Sequence, residues 1–118
     1  MKFLCLGYLN MDAFDAAPES IRQEILTECF AQCVPFRATG KVTLEEGVQH
    51  YSLAQSIRPV NGEPTVTPGP LFPAAAQLGS VFIIEADSME EAIAVASLHP
   101  ATILGEQYGF AVEIRPLQ

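Results

Sequence analysis

Two histidines, His50 and His99, are the side chains of this chain whose ordinary pKa lies near neutral pH, the property that general acid–base chemistry asks of a side chain with access to substrate. His99 stands at the predicted end of a helix, just before Pro100 and an irregular stretch, which makes it the leading catalytic candidate. The same position also suits a histidine that merely satisfies terminal carbonyls and the helix dipole. His50 follows an acidic loop and precedes Tyr51 with no spacing that ties it to a carboxylate, so it reads as a surface residue. Tyr8, near the end of the first predicted strand, is a candidate ligand-binding residue with its hydroxyl turned into a pocket, or else a core tyrosine with a wet tip. Asp12 and Asp15 follow on the next loop and are placed to line the mouth of such a pocket.

Other chemistries find little support. Three cysteines, Cys5, Cys29 and Cys33, cannot all pair within one chain, and none belongs to a CxxC. Cys29 and Cys33 fall one helical turn apart in an apolar stripe and read as reduced core thiols. A zinc site needs more grouped His and Cys than are present, so no metal is expected. No glycine-rich loop leads into a helix with a lysine, and no Ser/His/Asp or Cys/His signature occurs, so no cofactor is expected either.

The elements that must position these residues follow from periodicity. Phe3 to Leu9 is apolar at nearly every position, the mark of a strand buried on both faces. Asn10 to Ala17 reads as irregular, and Pro18 opens a helix in which Ile21, Ile25, Cys29 and Cys33, with Leu26 and Phe30, form one apolar stripe. Pro35 is expected to kink or break its last turn before Gly40. Lys41 to Leu44 is a short strand and Glu45 to Gln49 a loop. Ser52 to Val60 and Glu63 to Thr67 make a hairpin about Asn61-Gly62, the dipeptide suited to a tight turn with positive φ. Pro68, Pro70 and Pro73 stiffen the next loop, with room for a helical turn at Ala74 to Gln77. Ser80 to Ala86 is the strongest strand, again apolar on both faces. Ser88 with Glu91 forms a capping box for a helix ended by Pro100, and Phe110 to Arg115 alternates as a closing strand.

With 118 residues, nearly half apolar, the chain makes one domain, residues 1–118. Its formal charge of -8, with the six basic residues scattered, excludes a nucleic-acid partner. No apolar run is long enough to span a bilayer and the N-terminus reads as a strand, so a cytoplasmic protein with no membrane association is expected. The order strand, helix, strand, hairpin, strand, helix, strand is the ferredoxin-like split βαβ plan, an α+β fold with both helices on one face of an antiparallel sheet. The double-faced strands then call for a cover on the open face, and a second copy of the chain is the economical one.

The chain resembles the YCII-related superfamily, and within it the DGPF group, whose members are dimeric α/β barrels built from ferredoxin-like protomers. The likeness is carried by Arg37-Ala38-Thr39-Gly40, by Glu46 where the group's GGEAL has its glutamate, and by Val60-Asn61-Gly62-Glu63-Pro64 with Val66-Thr67 and Gly69-Pro70. It continues through Gln77-Leu78-Gly79, the helix Met89 to Leu98, His99-Pro100-Ala101 and Val112 to Leu117. Pro68 stands where the naming motif has aspartate, Leu71 replaces its phenylalanine, Pro73 to Ala76 replaces a charged stretch, and the first helix lacks the family's histidine. Glu46, resembling a recurrent family glutamate, is expected as the carboxylate partner of His99, with a loop aspartate as the alternative; Gly69 and Pro70, which suit turn geometry, are candidate ligand-binding positions with Tyr8 and Asp12. The resemblance implies a homodimer that binds a small molecule in its barrel, or alternatively a cofactor-free isomerase, lyase or dehalogenase using a His-carboxylate pair.

Overall fold

The computed structural model describes residues 1–118. Strand β1 (Lys2–Asn10) is the centre of a four-stranded sheet, flanked by β5 (Ala76–Glu85) and β6 (Ala111–Pro116), with β2 (Val42–Gly47) on the far side of β5. All three pairings are antiparallel. The order β2-β5-β1-β6 interleaves two βαβ units, each with a strand of the other between its own two strands. This is the expected ferredoxin-like α+β plan. Helix α2 (Glu19–Ala38) connects β1 to β2, and α3 (Met89–Ala96) connects β5 to β6.

Both helices pack on one face. Phe3 and Cys5 of β1, Phe82 and Ile84 of β5, Phe36 of α2 and Ala92, Val95 and Ala96 of α3 form the buried core. The alternate residues Leu4, Leu6, Val81 and Ile83 lie on the other face, where no helix covers them, and remain half-buried. Helix α3 begins as its sequence asks: the Ser88 Oγ accepts from the Glu91 N–H at 3.1 Å, and the Glu91 carboxylate accepts from the Asp87 N–H at 3.1 Å.

Strands β3 (Gln55–Val60) and β4 (Glu63–Pro68) form the expected hairpin about Asn61 and Gly62, whose φ angles are +51° and +79°. The hairpin does not join the sheet. It stands out as a two-stranded arm with no buried residue, and the paired Ile57 and Val66 on one face are 63% and 60% exposed. The chain is accordingly a slab, 48 × 41 × 17 Å, with a radius of gyration of 15.9 Å, against about 13.5 Å for a compact chain of this length.

Four local expectations are corrected. Asn10 to Ala17 is not all irregular: Asn10 caps a short helix, α1 (Met11–Asp15), by accepting from the Ala13 N–H at 3.0 Å, and Met11 buries beneath it. Pro35 does not end α2, which continues to Ala38 because Phe36, just beyond it, is anchored in the core. Ala74 to Gln77 holds no helical turn, since β1 runs to Asn10 and supplies strand partners for Ala76 and Gln77. Glu45, Glu46 and Gly47 are strand, not loop, because edge pairing with Phe82, Val81 and Ser80 overrides the weak strand propensity of paired glutamates.

Candidate functional site

Of the apolar stripe of α2 only Cys33 is buried, and Phe36, outside the stripe, is the other buried residue of the helix. Toward its N-terminus the helix stands off the sheet, and Leu26 and Cys29 border an open cleft. The cleft has two lobes that share Leu26, Cys29, Ser80 and His99. One lobe, of about 260 Å³, is closed by Leu9, Pro100 and Phe110. The other, of about 230 Å³, reaches Phe30, Cys33, Arg37, Glu45 and Glu46 at the β2 edge. Side chains seated on glycine shape the floor: a Cβ on Gly7 would collide with the Ser80 Oγ, and one on Gly79 would lie 2.5 Å from a Leu9 methyl.

His99 sits where the lobes meet and is only 7% exposed. Its ring stacks on Phe82, with centroids 4.4 Å apart, and stands perpendicular to Phe36 with centroids 4.9 Å apart. Its Nδ1 accepts the Ala101 N–H at 3.0 Å, capping the 3-10 turn Pro100–Thr102. Burial pushes the imidazole pKa down to about 4; the Glu45 carboxylate opposes that fall and the Arg37 guanidinium adds to it. Arg37 also pairs with Glu45 in a fork, Nε–Oε2 at 2.8 Å and Nη2–Oε1 at 3.0 Å, holding that carboxyl below the usual carboxylate range. The Cys33 thiol reaches Glu45 Oε1 at 3.8 Å, and burial raises the Cys33 and Cys29 pKa values, so both are thiols, not thiolates.

The carboxylate that faces His99 is thus Glu45, while Glu46 sits opposite Val81. The cause is one extra residue in β2: Val42 pairs with Ile84 but Leu44 pairs with Ile83, leaving Thr43 as a bulge. Unbroken alternation from Val42, a helix-face residue, would have put Glu46 on the cleft face. The bulge turns Glu45 there instead, and Glu46 borders the second lobe from the edge. Tyr8, opposite Leu78 and Ala111, borders the first lobe.

Asp12, Pro70 and Gly69 lie elsewhere, at the base of the arm. The Tyr51 hydroxyl donates to Asp12 at 2.6 Å, and Asp12 and Pro70 border a shallow rim cavity of about 420 Å³ with Tyr51, Pro73 and Gln77. Gly69, with φ +99°, closes the arm: its N–H donates to Ala54 O at 2.8 Å and its carbonyl accepts from Ser56 Oγ at 2.6 Å. The structure therefore gathers His99, Tyr8 and Glu46 about one cleft, and Asp12 and Pro70 about another. Sequence reasoning missed Glu45, Arg37 and Ser80 as cleft residues and took Cys29 and Cys33 as core alone. The signal available for the first two was a charge on β2 one residue from Glu46 and a cation near the end of α2.

The family model of the YCII-related domain matches residues 1–117. The chain belongs to the YCII-related family. No curated protein sequence matches this YCII-related protein. Among solved structures it is similar to 5-chloro-2-hydroxyhydroquinone dehydrochlorinase from Burkholderia phenoliruptrix AC1100, in complex with 2,5-dihydroxybenzoquinone. That match has a TM-score of 0.53 and 18% identity, and covers 100% of this chain and 94% of the other. At this identity the likeness carries the fold.

Proposed function

We propose that this YCII-related protein binds a small, mainly apolar molecule in the cleft between α2 and the sheet. The observation that carries the reading is His99: a buried ring packed against Phe82 and Phe36, bordering both a larger lobe lined mainly by apolar groups and a smaller lobe that reaches Arg37, Glu45 and Glu46. A mostly apolar cavity with a few convergent polar groups is the usual form of a small-molecule site. A similar fold in complex with 2,5-dihydroxybenzoquinone supports a planar, oxygen-bearing ligand. A fragment screen read by amide NMR shifts tests it. Hits should move the amides of Leu26, Cys29, Ser80 and Ala101, and a hit set that moves only amides of the arm would refute the cleft.

A second reading is a cofactor-free enzyme of isomerase, lyase or dehalogenase type, in which His99 moves a proton with a carboxylate. It draws on the Glu45 charge beside His99 and on the dehydrochlorinase of similar fold. In this form Glu45 takes the partner role and Glu46 assists from the edge. Burial lowers the His99 pKa to about 4, which makes the ring a weak base and so favours binding over proton transfer.

The functional unit we propose is a homodimer of the DGPF type, closed through the open sheet face and working in the cytoplasm. Leu4, Leu6, Val81 and Ile83 have no covering layer, and a two-stranded arm standing alone is marginal in water. A second copy covers both surfaces. Three unpaired cysteines fit a reducing compartment. Sedimentation should give a dimer at micromolar concentration, converted toward monomer by Ile83→Lys; a wild-type monomer would overturn the assembly.

A further inference from the structure

The hydrogen bond from the Ala101 N–H commits the lone pair of His99 Nδ1 to the backbone. A neutral imidazole whose Nδ1 accepts carries its single proton on Nε2. A ring flip would set Cδ2 against the Ala101 N–H in place of Nδ1 and lose that bond, and it is opposed by the stacked ring of Phe82 and the perpendicular ring of Phe36. Nε2 makes no hydrogen bond within the chain, and it is not a sealed, unsatisfied atom. The larger of the two lobes that His99 borders holds no charged side chain at all: its walls are Gly7, Leu9, Leu26, Pro100 and Phe110, with Tyr8, Cys29 and Ser80 among the remainder.

We propose that His99 presents Nε2–H as a fixed hydrogen-bond donor to the carbonyl oxygen of an uncharged, flat ligand whose apolar body fills the larger lobe. The proposal rests on the cleft being the binding site and specifies what it selects. A carboxylate ligand would bring a charge into a lobe with no free cation, since Arg37 is engaged by Glu45 in the other lobe. An ammonium group, with no acceptor, would set N–H against N–H. Proton abstraction by His99 would require an unprotonated Nε2, hence a proton on Nδ1 and loss of the Ala101 bond. The charged groups that act on the ring are Glu45 and Arg37, and the other titratable groups about the cleft are the Cys29 and Cys33 thiols, Tyr8 in the larger lobe and Glu46 at the β2 edge. Burial outweighs the Glu45 charge, which keeps the donor form intact through neutral pH.

Two probes of matched shape test the donor: acetophenone, which carries a carbonyl oxygen, and α-methylstyrene, which carries a methylene in its place. Amide NMR titration should place both in the cleft, with acetophenone bound about fivefold more tightly, the usual worth of one hydrogen bond. His99→Asn keeps an oxygen to accept the Ala101 N–H and removes the group at Nε2, so the preference should fall to about unity while the fold is retained. In the free protein, long-range proton–nitrogen spectra should show the His99 proton on Nε2 from about pH 5 to 8. A proton found on Nδ1, or equal affinity of the wild type for the two probes, overturns the donor role. If neither probe moves the cleft amides, the cleft reading itself fails and the ligand class with it, whereas the nitrogen spectrum still decides the tautomer.

Discussion

His50 and His99 solve the same local problem in two different surroundings. Each precedes a 3-10 turn, Tyr51–Leu53 and Pro100–Thr102, and each caps it by accepting the N–H two residues on, at 3.2 Å and 3.0 Å. In sequence they differ little: a histidine followed by Tyr51 and Ser52, and one followed by Pro100 and Ala101. Beyond the cap they part. The Nε2 of His50 lies 3.3 Å from Asp15 Oδ2, its ring tilts against Tyr51 at 4.3 Å, and it stays partly open to water. His99 has two phenylalanines about it and no ion partner in contact. The cap fixes which nitrogen is used up in both turns, but only burial decides what the other nitrogen can do. At His50 it lies beside the exposed Asp15 carboxylate, and at His99 it is left for the cleft.

The sharpest way to break this contrast is to remove the wall of His99. Phe36→Ala takes away a fully buried ring that touches both Phe82 and His99, and a change of this kind costs about 3–5 kcal/mol. Urea unfolding should show the loss, and the His99 pKa should rise as water enters. A variant that kept its stability would mean that α2 is not anchored where Phe36 sits. Tyr51→Ala, the matching change beside His50, should cost far less because that ring lies on the surface.

Acid separates the two turns next. His99 is held near 4 in the folded chain and returns to about 6.5 on unfolding. Between those values the unfolded chain binds more protons, so stability is full above the unfolded value and is lost as pH falls through the window. The contribution lost from pH 7 to pH 5 is about 2 kcal/mol. His99→Asn should remove that share of the pH dependence while keeping the cap. His50→Asn should alter stability by no more than about 0.5 kcal/mol. If His99→Asn leaves the acid limb of the stability curve unchanged, His99 is not the residue that acid attacks.

These contrasts also mark how far the sequence could be read. Double-faced strands such as Phe3–Leu9 and Val81–Ile84, the Asn61-Gly62 turn and the Ser88–Glu91 cap each state a local preference that the fold satisfies, so the α+β plan and the helix-covered face were legible. His99 was legible as a candidate because its neighbours Pro100 and Ala101 mark the end of a helix. Its burial was not, since Phe36 and Phe82 reach it from remote strands and helices. The identity of its carboxylate was hidden for a different reason. A bulge at Thr43 is a pairing event between β2 and β5, with no fixed residue type to announce it, and a single-residue shift exchanges the faces of Glu45 and Glu46. Likewise Leu26 and Cys29 carry a helical period whether they meet a core or a cavity.

The smallest effect tests that exchange directly. Glu45 opposes the depression of the His99 pKa and Arg37 adds to it, and both act from the β2 side of the cleft. Glu45→Gln should therefore lower the His99 titration further, because the favourable charge is removed while Arg37 remains. Glu46→Gln, on the next residue and opposite Val81, should shift it much less. The pair isolates register from composition, since each variant removes one negative charge from the same strand. Proton titration of His99 by NMR reads both. Equal shifts would mean that the strand acts only through its net charge, and a larger shift from Glu46→Gln would place Thr43 in regular pairing and return the cleft face to Glu46. The bulge would then not exist, and the His99–Glu45 neighbourhood would have to be rebuilt around unbroken alternation from Val42.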